Sequence, residues 1–214
     1  MNYPVAILSI VVAYLFGSIP VGYLMARLWG VDLLKSGSGK TGGTNVLRSA
    51  GLLPAALTIL GDAFKGLIPT YFAVMLFQHN MPLVPALAGA AAVLGHNRSI
   101  FLKFKGGVGA ITFFGALAAL SFPGMLITIT VALIALLITR FASMGSFSGS
   151  ITGLLTLIAS ALLGHTPMAY ALFGVFSVLW VVIALRPNFA RIKAGTERKI
   201  GVPEKEIKTL ERGR

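Results

Sequence analysis

The sequence predicts an all-α integral membrane protein, and both its composition and its hydropathy pattern point to this class. Of the 214 residues, 56% are hydrophobic and only 11% are charged, whereas soluble domains usually carry about 25% charged residues. The hydrophobic residues form long runs separated by short polar segments, as helices that cross a bilayer require. So little charge cannot cover the surface of a soluble protein of this size, which excludes the soluble classes.

Seven apolar runs predict seven transmembrane helices. A bilayer core of about 30 Å needs about 20 helical residues, so we expect the shorter runs to be tilted or to lie where the membrane is thin. Pro123 lies between the fourth and fifth runs and favours a break there, because it cannot donate a backbone hydrogen bond. The runs cover residues 4–29, 52–77, 82–94, 110–120, 125–139, 151–163 and 168–185, and the small polar stretch 140–150 connects two of them.

The positions of Lys and Arg predict the orientation of these helices. The glycine-rich segments, Arg140 and the C-terminal tail are basic, whereas the connections 78–81, 121–123 and 164–167 contain no Lys or Arg. With seven crossings, all the basic segments fall on one side, which the positive-inside rule identifies as the cytosol. A single helix over 110–139 would violate that rule. We therefore expect the N-terminus outside and the C-terminus in the cytosol.

The same reasoning predicts the domain organisation. Residues 1–185 are expected to form one seven-helix membrane domain, and residues 186–214 a basic cytosolic tail. The net charge of +12 would indicate a nucleic-acid partner in a soluble protein. Here the positive-inside rule accounts for the basic residues, so no nucleic-acid partner is expected.

Three charged or titratable residues lie within or at the end of apolar runs. Asp62 and Lys65 are one helical turn apart and share a helix face. Charges inside a membrane run usually face protein or water, and we favour a mutually satisfied structural pair over a catalytic role. His96 ends a run, where a capping or loop-bracing hydrogen bond is the expected role.

The segment from Ser36 to Arg48 is the strongest candidate for a binding site. It is glycine-rich, so successive backbone N–H groups can converge on an anion. The hydroxyls of Ser38 and Thr44 and the charges of Lys40 and Arg48 suit a phosphate. A second basic glycine-rich segment at 101–109 favours this interpretation over a flexible connecting loop.

Other kinds of site are disfavoured. The letters Gly39-Lys40-Thr41 imitate a nucleotide-binding P-loop, but Leu34 stands where that motif needs its first glycine, and no soluble α/β domain follows. The chain has no cysteine, which excludes disulfides, thiolate metal sites and cysteine nucleophiles. Its three histidines are scattered. No metal and no organic cofactor is expected.

Several short motifs together cover nearly the whole chain. They are Phe16-Gly17-Ser18-Ile19-Pro20, Gly37-Ser38-Gly39, Gly43-Thr44-Asn45-Val46-Leu47-Arg48, Asp62 with Lys65-Gly66, Leu94-Gly95-His96, Phe104-Lys105-Gly106-Gly107 and Gly195-Thr196-Glu197-Arg198-Lys199. In type and order they resemble those of the acyl-phosphate:glycerol-3-phosphate acyltransferase family of bacterial membranes.

The resemblance implies a seven-helix enzyme of the bacterial inner membrane whose active site faces the cytosol. Such an enzyme transfers a fatty acyl group from acyl-phosphate to the 1-hydroxyl of glycerol 3-phosphate. The products are lysophosphatidic acid and phosphate, an early step of phospholipid synthesis. The implied partners are these two substrates and the lipid bilayer, and the chain is expected to be a monomer.

The resemblance also implies site residues. Ser38 and Arg48 match positions that bind glycerol 3-phosphate, as does Asn188. The backbone of residues 36–40 matches the hole that holds the donor phosphate, and the second loop closes over it. The expected substrate-binding residues are Ser36, Gly37, Gly39, Lys40, Thr44, Asn45, Lys103, Gly106, Gly107 and Asn188, and the expected catalytic residues are Ser38, Arg48 and Lys105.

Three positions depart from the family pattern. Val108 stands where the family usually has lysine, Leu185 where it has histidine, and Lys40 where it has asparagine. Lys40, Lys103 or Lys105 are the candidates to replace the missing charge. Two alternative functions remain, an inactive or re-purposed lipid- or phosphate-binding relative and a small-anion transporter. Against a transporter, the glycine-rich loops lie on one side only, and no internal repeat is evident.

Overall fold

The structure is a computed structural model that describes residues 2–201, so part of the predicted tail, residues 202–214, lies outside it. The described residues form nine α-helices and one short 3-10 turn at Ile100–Leu102. The helices are α1 (Tyr3–Ser18), α2 (Val21–Leu28), α3 (Gly43–Ala50), α4 (Leu52–Phe77), α5 (Leu83–Asn97), α6 (Ala110–Leu120), α7 (Phe122–Thr139), α8 (Ala142–Leu162) and α9 (Tyr170–Lys193).

Most of these helices are long and apolar enough to cross a membrane. By length and composition, five spans qualify among the described residues: α1 together with α2, and then α4, α7, α8 and α9. Helices α5 and α6 are apolar but shorter. The predicted break in 110–139 is present, because Ser121 separates α6 from α7 and its hydroxyl accepts the Gly124 N–H at 3.3 Å. The prediction of an all-α membrane fold is confirmed.

The first apolar run also contains a break, between α1 and α2 at Ile19 and Pro20. Lys65 of α4 reaches this break, where its ammonium donates to the Ile19 carbonyl at 2.9 Å. The same ammonium lies 2.8 Å from the Asp62 carboxylate, and both side chains are buried. The predicted Asp62–Lys65 pair therefore exists and also holds the α1–α2 break against α4.

The two short helices lie inside the bundle. Helix α5 contacts α1, α4 and α9, and α6 contacts α4 along its length. Close approach depends on glycine: a Cβ on Gly66 would lie 2.0 Å from the Thr112 carbonyl oxygen, and one on Gly17 2.1 Å from that of Ala92. Small residues at such contacts let helix backbones pack closely in a membrane.

Two boundaries differ from the sequence prediction. Residues 142–150, which were predicted as part of a connection, form the start of α8. They are helical because their small side chains let α8 pack closely against α7. At Gly145, for example, a Cβ would lie 2.9 Å from the Ala132 carbonyl oxygen. Helix α9 continues past Leu185 to Lys193, so the predicted domain boundary at 185 falls inside a helix. Pro187 removes only one hydrogen bond, and the basic residues of the last turn suit the helix C-terminus.

Candidate functional site

A cavity of about 320 Å³ opens at one end of the bundle. Its walls are the loop before α3, helix α3, the start of α6 with the two residues before it, the start of α8, the end of α9 and the segment that follows α9. Asp62 of α4 and His96 of α5 also line it. Seven of the predicted site residues line it: Gly37, Ser38, Lys40, Thr44, Asn45, Arg48 and Asn188. Segments far apart in sequence thus meet where the first glycine-rich loop lies.

The first loop is built around the buried carboxamide of Asn45. Its Oδ1 accepts the Ser38 N–H at 3.0 Å, and its Nδ2 donates to the carbonyls of Ser36 at 3.1 Å and Lys40 at 2.9 Å. Gly37 has a left-handed φ of 60°, and a Cβ there would lie 2.1 Å from Asn45 Oδ1. The glycine and the asparagine therefore fix the loop together, which makes Asn45 a scaffold for the site.

Lys40 connects this loop to α9. Its ammonium donates to the Asn188 carboxamide oxygen at 2.8 Å and to the Ala184 carbonyl at 2.7 Å. The pKa of Lys40 is lowered to about 8, mainly because burial disfavours its charged form. The positive charge of Arg191 adds to the lowering, and the carboxylate of Glu197 opposes it.

Glu197 joins three segments at the cavity wall. Its carboxylate accepts hydrogen bonds from Asn188 Nδ2 at 2.6 Å, Arg191 Nε at 2.7 Å and the Ser143 hydroxyl at 3.2 Å. Only 6% of its side chain is exposed. These charge-assisted bonds hold the segment after α9 against α8 and α9.

Arg48 lies at the exposed rim, in the last turn of α3. Its Nη2 donates to the Arg198 carbonyl at 3.1 Å, which brings the segment after α9 across to α3. Burial of part of the side chain lowers the pKa of its guanidinium, and nearby Arg198 adds to that effect. Asn45 and Arg48 both belong to α3, three positions apart.

Two sets of side chains line the cavity, a cationic set (the cationic wall) and an apolar set (the apolar wall). Its carboxylates, Asp62 and Glu197, are engaged by Lys65 and Arg191 respectively. Four cationic side chains line it: Lys40, Arg48, Arg191 and Arg198. The apolar lining residues include Val108, Ile111, Ala142 and Leu185. The arrangement suits an amphiphile with an anionic head and an apolar chain.

The second glycine-rich loop contributes backbone to the site. The Gly107 N–H donates to the His96 carbonyl at 3.1 Å, and Asn97 Nδ2 donates to the carbonyls of Gly107 and Val108 at 3.1 Å and 2.7 Å. A Cβ on Gly107 would lie 2.2 Å from His96 Nε2. His96 and Asn97 therefore brace this loop, and only its end, at Val108 and Gly109, lines the cavity.

Some predicted site residues lie outside the cavity. Ser36, Gly39, Gly106 and Gly107 belong to the two loops but do not line it. Lys103 and Lys105 are exposed and are not among its lining residues. The reason is a reversal of the chain, because Lys103 and Phe104 have left-handed φ values of 53° and 61°.

The polar lining residues that the sequence interpretation did not assign to the site are Asp62, His96, Ser143, Ser146, Arg191, Glu197 and Arg198. One pattern pointed to Glu197: it is the only acidic residue between Asp62 and Glu204. A lone carboxylate among many cations usually has a specific partner. Ser143 carried no such pattern, because it lies in a stretch of small residues with many serines.

Comparisons with known proteins agree with this arrangement. Residues 7–195 match the family described as Glycerol-3-phosphate acyltransferase. Relatives named glycerol-3-phosphate acyltransferase include one from Carboxydothermus hydrogenoformans, 39% identical over 91% of this chain and 96% of its own. Another, from Thermus thermophilus, is 40% identical over 92% of this chain and 96% of its own.

Solved structures show the same fold. The crystal structure of PlsY, an integral membrane glycerol 3-phosphate acyltransferase, in its glycerol 3-phosphate form, aligns with a TM-score of 0.84 and 33% identity. The alignment covers 92% of this chain and 96% of that one. The lysophosphatidic acid form of the same enzyme aligns with a TM-score of 0.82.

The scaffold role of Asn45 can be tested by Asn45→Ala. The variant loses three hydrogen bonds, each worth about 1 kcal/mol net, so we expect the free energy of unfolding to fall by about 1–3 kcal/mol. Amide hydrogen exchange at Ser38 should become faster. Asn80→Ala, in the exposed connection between α4 and α5, is the matched control and should change neither value. Unchanged exchange at Ser38 in Asn45→Ala would show that the loop does not depend on this side chain.

Proposed function

The chain belongs to the glycerol-3-phosphate acyltransferase family, and we propose that it transfers a fatty acyl group from acyl-phosphate to the 1-hydroxyl of glycerol 3-phosphate. The products are lysophosphatidic acid and inorganic phosphate. The observation that carries the proposal is that cationic and apolar side chains line one and the same cavity. Both substrates carry a phosphate, and the donor also carries a long apolar chain.

The acceptor phosphate is assigned to the rim of the cavity. Arg48 offers a planar guanidinium that can hold two phosphate oxygens at once. Ser38 and Asn188 line the same cavity and can donate further hydrogen bonds. Because the rim is exposed, it suits a water-soluble substrate that arrives from the aqueous side.

The donor is assigned to the junction of the two walls. Its acyl chain would lie against Val108, Ile111 and Leu185, which are among the apolar lining residues. Its phosphate would then lie beside the first loop, which Asn45 fixes, and beside the end of the second loop. Lys103 and Lys105 have no part in this assignment, because both are exposed outside the cavity.

The chemistry needs no nucleophilic side chain, because acyl-phosphate is an activated donor. The 1-hydroxyl oxygen of glycerol 3-phosphate attacks the acyl carbon, an ester bond forms, and the bond from that carbon to the phosphate oxygen breaks. The departing phosphate accepts the hydroxyl proton. The protein holds the two substrates in the reacting geometry, and the cationic wall stabilises the charge that collects on the leaving phosphate.

We further propose seven crossings, formed by α1 with α2 and by α4 to α9, with the N-terminus outside and the cavity and C-terminus in the cytosol. The cavity supports this topology, because apart from Asp62 of α4 and His96 of α5 its lining residues come from 37–48, 108–111, 142–146 and 185–198. Those segments meet only if each lies at the same end of the bundle. Neighbouring helices cover the short α5 and α6, so neither must match the bilayer alone.

Release of inorganic phosphate tests the reaction. The purified protein should release phosphate from palmitoyl phosphate only when glycerol 3-phosphate is present, with equimolar lysophosphatidic acid as product. With palmitoyl-CoA as donor we expect no acyl transfer, because the cationic wall then has no donor phosphate beside the acyl carbon. Comparable turnover with palmitoyl-CoA would contradict the proposed donor, and no acyl transfer from either donor would contradict the proposed reaction.

Cysteine labelling tests the topology, because the chain has no native cysteine. A cysteine introduced at Lys35 or Lys193 should react with a membrane-impermeant maleimide only from the cytosolic face. One introduced at Asn80 should react only from the outer face. Labelling of the Lys35 and Lys193 positions from opposite faces would rule out seven crossings.

A further inference from the structure

We propose that the Lys40 side chain is the cation that neutralises the phosphate of the acyl donor, so that the donor binds productively only while Lys40 is protonated. This inference rests on the acyltransferase function proposed above. It means that the first loop binds the donor phosphate through the charged Lys40 side chain as well as through its backbone. Three observations support the proposal: the ammonium lies in the cavity, its hydrogen-bond partners are neutral, and one of them, Ala184, precedes the apolar lining residue Leu185.

The first observation is that Lys40 is a lining residue of the cavity. Of the lysines that the structure describes, only Lys40 lines the cavity. The second loop brings Val108 and Gly109 to the same cavity and keeps Lys103 and Lys105 exposed outside it. A lysine charge on a donor phosphate in this cavity must therefore come from the first loop.

The hydrogen-bond partners of Lys40 carry no negative charge. Both are neutral oxygens, of Ala184 and Asn188, and among the described residues no carboxylate lies within 4.0 Å of the ammonium. The nearest acidic group that acts on it, Glu197, is already bonded to Arg191, Asn188 and Ser143. A half-buried cation with only neutral partners is costly without an anion, and a phosphate is the anion that this reaction supplies.

The contact with Ala184 places Lys40 beside the apolar wall. Ala184 precedes Leu185 in α9, and Leu185 lines the cavity. The donor phosphate is covalently joined to the acyl carbon, so it must lie where the cationic and apolar walls meet. Arg48 instead contacts the Arg198 carbonyl at the exposed rim, which leaves it for the acceptor.

The electrostatic surroundings make this contact sensitive to pH. The pKa of Lys40 is lowered to about 8 by burial, with Arg191 of α9 adding to the effect and Glu197 opposing it. The other charged or titratable side chains that line the cavity are Arg48 of α3, Asp62 of α4, His96 of α5 and Arg198 of the segment after α9. Because Lys40 is a base with a lowered pKa, its charged form prevails below about pH 8 and is lost as pH rises through that value. The phosphates of the substrates, with a second pKa of about 6, are already ionised there.

The pH profile of the unmutated protein tests the proposal without any substitution. Between pH 7 and 9.5, kcat/KM for palmitoyl phosphate should fall about tenfold for each unit above the Lys40 pKa. Lys40→Arg should keep a level profile, because guanidinium stays protonated throughout. A level profile for the unmutated protein would overturn the proposal.

Substitution by glutamine separates charge from hydrogen bonding. Lys40→Gln can still donate to Ala184 or Asn188 but carries no charge, so kcat/KM for palmitoyl phosphate at pH 7 should fall about ten- to a hundredfold, as expected when a charged hydrogen-bond partner is lost. KM for glycerol 3-phosphate should change less. Lys35→Gln, exposed in the same loop, is the matched control. Near-normal kcat/KM in Lys40→Gln would overturn the proposal, and the role of Lys40 would then be only to hold the first loop against α9 through its hydrogen bonds.

Binding of inorganic phosphate gives a readout that does not need turnover. Phosphate at pH 7 should raise the Tm of the unmutated protein and of Lys35→Gln clearly more than that of Lys40→Gln. An equal rise in all three would overturn the Lys40 proposal whether or not the protein is active. Absence of turnover with a normal, Lys40-dependent rise in Tm would instead contradict the proposed reaction alone.

Discussion

The site depends on the buried carboxylate of Glu197. It accepts hydrogen bonds from α8 and from two residues of α9, and thereby fixes the segment after α9 across the open end of the bundle. That segment in turn presents the Arg198 carbonyl to Arg48, and Asn188, which Glu197 orients, accepts from Lys40. One charge-assisted cluster therefore connects the C-terminal segment to both cationic residues of the first loop. Without it, Arg191 and the segment after α9 would lose the bonds that hold them at the cavity.

The bilayer explains why this cluster lies at one end of the molecule. Inside the bundle, helices pass one another so closely that several glycines face a neighbouring backbone directly, which leaves no room for a polar chamber. Among the buried charged groups, Lys65 pairs with Asp62 and donates to the carbonyl freed at the α1–α2 break, and the His96 ring lies 3.5 Å from the Asp62 carboxylate. The cavity forms mainly where helices begin or end and reaches Asp62 within α4, so it can offer charges to the phosphates and apolar side chains to the acyl chain.

The sequence predicted the parts of the structure that depend on local composition. The bounds of the second apolar run, Leu52–Phe77, agree with α4, and the break near Pro123 is present. The resemblance to the acyltransferase family is confirmed by the match over residues 7–195. The sequence did not predict that 142–150 is helical, because small polar residues resemble a loop until the neighbouring helix that they contact is known. Lys105 was misleading for a similar reason: it adjoins the glycines in sequence, but the left-handed turn before it directs the chain away from the cavity.

Titration of glycerol 3-phosphate into the purified protein and into two Arg48 variants tests most directly whether this cavity is the substrate site. We predict that Arg48→Ala weakens binding roughly ten- to a hundredfold, the usual effect of losing a charged hydrogen-bond partner. Arg48→Lys should recover only part of this loss, because an ammonium restores the charge without the two parallel hydrogen bonds of a guanidinium. Near-normal affinity in both variants would contradict the account and would assign Arg48 to lipid headgroups beside the bundle.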